Sequence, residues 1–348
     1  MEDLNRSIEL KERAVEAESS SDDAFSFARS LHNLGISLIS RYEQTGWVGE
    51  LDRAIGMMDQ AIALVPSDYP PGSMYLSNLA NVLKTRFEQT KSMNDLNRAV
   101  DLSEQAFECT LPANPYRRIR NNNLAIILQR RYEQTGSISD LSQAITRMQQ
   151  AVALTPVNHP DCPFMLNNLA NMLHRFALTV TRMPVEMNLD SAIQLMEQSL
   201  ALTTDGTPAR IMCLNTLGIA MQTRFEQTGS TRDLDSAIKV IEQAIKSTSE
   251  DHSDHAGFLI NLGNVLQRRF EATGSIIDLE RAIVIKEKSV TLTPEDHFDR
   301  GARLQNAGSA LYARFVQTGS KTDLDRAIAM TQDAVAATQR IIVIVEIG

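Results

Sequence analysis

Arg-Tyr/Phe-Glu-Gln-Thr-Gly recurs along this chain, and its spacing limits the possible folds more than any other feature. Full copies stand at Arg41-Tyr42-Glu43-Gln44-Thr45-Gly46, Arg131-Tyr132-Glu133-Gln134-Thr135-Gly136 and Arg224-Phe225-Glu226-Gln227-Thr228-Gly229. Arg86-Phe87-Glu88-Gln89-Thr90 lacks the glycine. Arg269-Phe270-Glu271-Ala272-Thr273-Gly274 and Arg314-Phe315-Val316-Gln317-Thr318-Gly319 are slightly altered, and Arg175-Phe176 is a worn remnant. The leading arginines lie 45 residues apart four times, and 44 and 49 apart around the worn copy. A fixed period of this length marks a solenoid, whose units pack only on their neighbours. It overrides the two or three globular domains that 348 residues would otherwise suggest.

Each repeat reads as two helices. Helix A carries Leu262, Leu266 and Phe270 in the clearest copy, one face of an α-helix. It closes at Thr273-Gly274, where glycine takes the left-handed conformation of a helix C-terminus. Ser275 and Asp278 then read as a capping box, the hydroxyl capping the first turn and the carboxylate reaching back. Ser92/Asp95, Ser137/Asp140, Ser230/Asp233 and Ser320/Asp323 repeat the pair. Helix B follows, with small residues seven apart: Ala54/Ala61, Ala99/Ala106, Ala144/Ala151, Ala192/Ser199, Ala237/Ala244, Ala282/Ser289 and Ala327/Ala334. Two turns apart on one face, they let a neighbouring helix approach closely. Pro66, Pro156 and Pro294 stop their helices. Asp3-Leu4-Asn5-Arg6 matches the start of helix B, so a half repeat at 1–20 precedes seven full ones.

These residues resemble the tetratricopeptide repeats. Leu262-Gly263 on helix A, then Ala282, Ser289 and Pro294, match that family's pattern, as do Leu34-Gly35, Ala54, Ala61 and Pro66. The usual unit is about 34 residues, so helix A is longer here by about one turn, which preserves the face it buries. Asn167-Asn168-Leu169-Ala170, after His159-Pro160-Asp161, looks like the longer repeats of kinesin light chains. Similar long repeats occur in fungal proteins beside NOD-like NTPase or caspase-like CHAT domains. The resemblance implies an all-α, right-handed solenoid of antiparallel helix pairs spanning residues 1–340, with 341–348 a non-repeat tail.

Two places break the pattern. Lys91 replaces the closing glycine, so either Lys91 takes positive φ or the turn is rebuilt. The stretch from Ala177 to Met187 lacks the Thr-Gly-Ser signal, and reads as a drifted turn, a hinge or a partner contact. Neither end supplies the polar cap that terminal repeats need, so the chain is expected to be a fragment or a truncated gene product of a longer array.

A net charge of −9 argues against nucleic acid, whose binders neutralise phosphates. Cys109, Cys162 and Cys213 are isolated, and Met1-Glu2-Asp3-Leu4 is no signal peptide. A cytoplasmic protein is expected, with no membrane span and no cofactor. Gly319-Ser320-Lys321-Thr322 looks like a phosphate-loop tail but lacks the earlier glycine, and reads as an ordinary turn. His252 and His255, with Asp251 and Asp254, have a spacing that a metal could use, yet sit in a connection where a solvated loop is the simpler reading. No catalytic constellation is legible, so the chain is not expected to be an enzyme.

Two ladders remain. Asn33, Asn78, Asn123, Asn168, Asn261 and Asn306 occupy one register of helix A, interrupted by Thr216. Asn81, Asn171 and Asn264 add a second rung on the same face. By the resemblance these positions line a concave groove and hold the backbone of an extended peptide. Alternatively each asparagine bonds the adjacent helix, and its presence in nearly every repeat argues for that. The arginines, Arg41 through Arg314, either form a basic stripe or pair with carboxylates of their own or the next repeat. The repeated aromatics, from Tyr42 to Phe315, read as core. Trp47 reads as a packed plug in preference to an exposed anchor. The expected function is a non-catalytic scaffold that binds a peptide or partner protein. The alternative is a regulatory repeat arm of a signalling NTPase or CHAT-type protease.

Overall fold

The structure, a computed structural model, describes residues 2–20, 23–66, 69, 71–179 and 185–347. Fifteen α-helices are present among the described residues. α1 (Glu2–Glu18) stands alone, and the others follow as A/B pairs. Repeats one to three are α2 (Ala24–Thr45) with α3 (Gly49–Ala63), α4 (Gly72–Thr90) with α5 (Met93–Glu108), and α6 (Arg117–Thr135) with α7 (Ile138–Ala153). Repeat four is α8 (Cys162–Thr179) with α9 (Val185–Ala201). Repeats five to seven are α10 (Pro208–Thr228) with α11 (Thr231–Lys246), α12 (His255–Thr273) with α13 (Ile276–Thr291), and α14 (Arg300–Thr318) with α15 (Lys321–Ile347). Residues 180–184, the centre of the irregular stretch, lie outside the described residues, as does Gly348. The α15 backbone runs on through the stretch expected to be a tail.

Two compact bodies divide the chain, Met1–Met165 and Leu166–Gly348, the boundary falling inside α8. In the first, α2 packs on α1 and α3, α4 on α3 and α5, and α6 on α5 and α7, with α4 also touching α6. In the second, the same order runs from α9 to α15, and α12 touches both α10 and α14. Each body is thus an all-α stack in which the A helices α2, α4, α6, α10, α12 and α14 each meet their own B helix and the helix before them. That is the solenoid packing the period demands.

The small residues of helix B are the close-approach points. Ala54, Ala61, Ala99, Ala106, Ala144, Ala151, Ala192, Ser199, Ala237, Ala244, Ala282 and Ser289 are all fully buried. Opposite them helix A keeps its own small residue. A Cβ on Gly218 would come within 2.4 Å of Ile241, and one on Gly263 within 2.6 Å of Lys286. Neither site admits alanine without moving a buried side chain. Large side chains fill the space between these contacts. Phe270, Leu279, Ile283, Ala310, Leu311 and Ala327 make one such cluster across repeats six and seven.

Glycine closes helix A where expected, with φ of 69–73° at Gly46, Gly136, Gly229, Gly274 and Gly319. Lys91 adopts the same conformation at φ 57° and ψ 20°, so the turn is kept and not rebuilt. The capping box is only half formed. Ser92, Ser137 and Ser320 accept the backbone N–H of Asp95, Asp140 and Asp323 at 3.4, 3.3 and 3.3 Å. Their carboxylates do not reach back. The motif threonine takes that role: Ser92, Ser137, Ser230, Ser275 and Ser320 donate their backbone N–H to Thr90, Thr135, Thr228, Thr273 and Thr318. Each threonine hydroxyl in turn donates to the carbonyl of its arginine, as Thr90 does to Arg86 at 3.0 Å. One side chain ties the end of helix A to the start of helix B.

Candidate functional site

The freed aspartates go to the arginine ladder. Arg131 donates Nε and Nη2 to the two oxygens of Asp140 at 2.7 and 2.8 Å. Arg86–Asp95, Arg224–Asp233, Arg269–Asp278 and Arg314–Asp323 repeat this fork. Arg41 grips Glu50, the residue at that position in repeat one, at 2.7 Å. Three arginines also reach back a repeat, Arg86 to Asp52, Arg224 to Asp190 and Arg269 to Asp235, at 2.7, 2.8 and 2.8 Å. The second partner therefore belongs to the preceding repeat, not the next. These hydrogen bonds push the guanidiniums of Arg86, Arg224 and Arg269 above their ordinary range, the forked aspartate contributing most. The ladder is spent on structure.

The asparagine ladder is divided. Asn78 Nδ2 lies 3.0 Å from His32 Nε2. Asn123 donates to Ser77 Oγ at 3.3 Å and Asn261 to Asn215 Oδ1 at 3.0 Å. All three bonds cross to the preceding A helix, to a residue 46 positions back. Asn306 Nδ2 bonds the Ala302 carbonyl of its own helix at 2.9 Å. Asn33 is exposed on α2, and Asn168 is half-buried on α8. The second rung differs. Asn81, Asn171 and Asn264 are half-buried, and their carboxamides make no hydrogen bond among the described residues.

Two cavities in the second body are lined by ladder residues. One, of about 330 Å³, is walled by Asn264 and Asn306 with Gln222, Gln267, Ser309 and the side chain of Lys286. The other, of about 450 Å³, holds Asn261 and Thr216 beside the exposed apolar side chains of Met212 and Phe298.

Other expectations shift. Phe87 and Phe270 are buried as core, whereas Tyr42, Tyr132, Phe176, Phe225 and Phe315 are half-buried. Trp47 is 60% exposed, its ring lying against Gly49, so it is no buried plug. His255 is buried and bonds Thr248 Oγ1 at 3.2 Å, and His252 Nδ1 accepts the backbone N–H of Asp254. Among the described residues no group of three or more His, Cys, Asp or Glu side chains could hold a metal ion. None of the described helices is long and apolar enough to cross a membrane.

A second recurring arginine was invisible in the motif. Arg117, Arg210 and Arg300 each donate Nη1 to two carbonyls at the end of the preceding B helix: Phe107 and Thr110, Leu200 and Thr203, Val290 and Thr293. They neutralise the negative end of helix B. The signal was present as a threonine seven residues before each arginine, in three repeats only.

No family model matches the chain. No curated protein matches it either. Solved structures do. The C-terminal part of a TPR repeat-containing protein from Cytophaga hutchinsonii aligns with a TM-score of 0.54 at 13% identity, over 89% of this chain and 98% of that one. IFIT1, as a monomeric mutant with Gppp-AAAA, aligns with a TM-score of 0.51 at 16% identity, over 94% of this chain and 63% of that one. Nearly identical TPR-like repeats of a Podosopora anserina protein described as a kinesin light chain align with a TM-score of 0.44 at 20% identity, over 63% and 96%. At these identities the likeness is one of fold.

Proposed function

We propose that the chain is a non-catalytic protein-interaction scaffold, and that within each of its two bodies the asparagine face of the A helices holds an extended peptide segment of a partner protein. The observation that carries this reading is the second rung. Asn81, Asn171 and Asn264 are half-buried carboxamides with no bonding partner among the described residues. Their amide atoms are not closed off from solvent and are open to a ligand. Each offers a donor and an acceptor, the pair that a peptide amide requires. The cavities beside Asn261, Asn264 and Asn306 leave room for alternate side chains of such a segment. The bonded rung, Asn78 and Asn123 in the first body and Asn261 in the second, sets the spacing of the A helices that a segment would cross within each body. A polypeptide fits better than nucleic acid, because the net charge is −9 and the ladder arginines are held in ion pairs.

A peptide array probed with three folded proteins tests this. The wild type should capture extended peptides. Asn81→Ala/Asn171→Ala/Asn264→Ala should melt with the wild type and lose capture. Asn78→Ala/Asn123→Ala/Asn261→Ala should melt lower. Undiminished capture by the first triple variant would overturn the reading.

A further inference from the structure

Lys286 is the anomaly of repeat six. α13 places it where α3, α7, α9 and α11 carry Met58, Met148, Met196 and Ile241, all fully buried. Lys286 is 1% exposed. Its methylenes do the work of the methionine, packing over Gly263. Its amine has no such precedent. Nζ donates to Gln267 Oε1 at 2.6 Å and, more weakly, to the Asn306 carbonyl at 3.4 Å. No carboxylate pairs with it among the described residues. The charged groups that line the cavity with it are Arg268 and Glu271, and these bond each other at 2.9 Å. Arg268 also reaches Glu226 at 3.4 Å.

An ammonium without a counter-ion is a costly thing to bury. A methionine would serve the packing better, as three other repeats show. The lysine therefore answers to something besides packing, and its end lines the cavity of about 330 Å³. That space is walled by amides, a hydroxyl and the Arg268–Glu271 pair, with room for a short acyl chain beside the amine. Burial drives the amine down to about 8; Glu271 opposes this and Arg268 adds to it. Lys84 and Lys288, by contrast, sit on Glu88 and Glu250.

We propose that Lys286 is a site of acyl transfer, its amine taking a short acyl group from an acyl thioester. Neutral Nζ attacks the thioester carbonyl carbon and forms the C–N bond. The C–S bond breaks, the thiolate leaves with the electron pair, and the proton shed by nitrogen goes to that thiolate. Nothing is oxidised or reduced. The amide product keeps an N–H for Gln267 Oε1, and its carbonyl faces Asn264 and Ser309, which have donors to offer. Acylation removes the buried charge and leaves the methylenes over Gly263 in place, so the modified repeat is the more stable one. The change also removes one positive charge from a cavity walled by Asn264 and Asn306.

The test uses the full chain with S-acetyl-N-acetylcysteamine at pH 8, brief exposure, and mass-spectrometric mapping of all lysines. Lys286 should be acetylated severalfold faster than any other lysine, and the acetylated protein should melt higher. Gln267→Glu, which sets a carboxylate beside Nζ, should bring the Lys286 rate down to that of the others. Should that variant fold poorly, the wild-type pH–rate profile decides alone: the Lys286 rate should level off above about pH 8. A Lys286 rate no faster than the other lysines, or a profile still rising steeply at pH 10, would overturn the proposal.

Discussion

Arg86 holds Asp95 with two bonds, Nε to Oδ2 at 2.7 Å and Nη2 to Oδ1 at 2.5 Å, while Nη1 reaches Asp52 of the preceding repeat at 2.7 Å. One guanidinium thus joins the A–B turn of its own repeat to the B helix before it. The two carboxylates are not equal, for the Asp95 side chain is 4% exposed and that of Asp52 59%. Removing Asp95 strands a half-buried cation and should cost about 2–3 kcal/mol. Removing Asp52 should cost less than about 1 kcal/mol. Urea denaturation of Asp95→Ala and Asp52→Ala, followed by circular dichroism, checks the ranking. Equal midpoints would place the stabilisation in the exposed link. Arg86→Lys loses the fork and should behave more like Asp95→Ala than like Asp52→Ala.

Lys91 offers a gain. It is the only non-glycine residue with positive φ among the described residues, in a turn that five other repeats build with glycine. A left-handed β-carbon costs about 1–2 kcal/mol. Its compensations are slight: Nζ reaches the Glu88 carbonyl at 3.0 Å, and the ammonium lies 5.9 Å from the Phe87 ring. Lys91→Gly should therefore raise stability by about 1 kcal/mol, read as a higher melting temperature. A lower one would show that the lysine contacts outweigh the strain.

The period made the helix pairs legible, because stacking requires the same small residues at the same register of every B helix. Ala54/Ala61 and their counterparts could be assigned to close contacts from spacing alone. The capping pair misled for a physical reason. Ser92 and Asp95 look the same in sequence whether the carboxylate turns back to the cap or outward to Arg86, and a guanidinium nine residues upstream is the stronger partner for a buried carboxylate. With Asp95 taken, Thr90 supplies the missing acceptor, which accounts for the threonine of the motif. The asparagine ladder was legible as a register and not as a contact. Asn123 meets Ser77, a residue 46 positions back, and nothing in either local sequence names the other. Lys286 was hidden for the opposite reason: one lysine in a single repeat leaves no pattern.

His32 should make the first body sensitive to mild acid. Its ring is 3% exposed, stacks on Tyr75 with centroids 4.3 Å apart, and has Nε2 3.0 Å from Asn78 Nδ2. The amide is the donor, so Nε2 must be unprotonated. Burial holds the imidazole at about 4 against an ordinary 6.5. Between those values the unfolded chain binds the proton and the folded one does not, so stability falls as pH drops from 6.5 towards 4. The full loss is about 3 kcal/mol. His32→Gln keeps an acceptor for Asn78 and removes the titration. Melting at pH 7 and pH 5 should fall further for the wild type than for the variant. Parallel losses would mean that the ring is solvated on protonation at little cost.

Lys286→Met turns the same linkage around. The amine titrates at about 8 in the folded chain against 10.5 ordinarily, with burial the main cause. Below 8 both states carry the proton and the folded state bears the whole penalty of the buried charge. As pH rises from 8 to 10.5 the folded state is neutral while the unfolded state still binds the proton, so stability climbs with pH. Above 10.5 the penalty is gone. Its full size is about 3 kcal/mol. Methionine fills the same space at the equivalent position of repeats one, three and four, with no charge to desolvate. The variant should therefore be more stable than the wild type by about 2–3 kcal/mol at pH 7, with the difference shrinking to less than about 1 kcal/mol at pH 10.5. Guanidinium melts of both proteins at the two pH values measure it directly. A constant difference would assign the gain to packing, and no gain at pH 7 would show that Gln267 and the Asn306 carbonyl already satisfy the ammonium. A single repeat that keeps a destabilising lysine where repeats one, three and four keep methionine is then explained by what the amine reacts with, since the fold is better off without it.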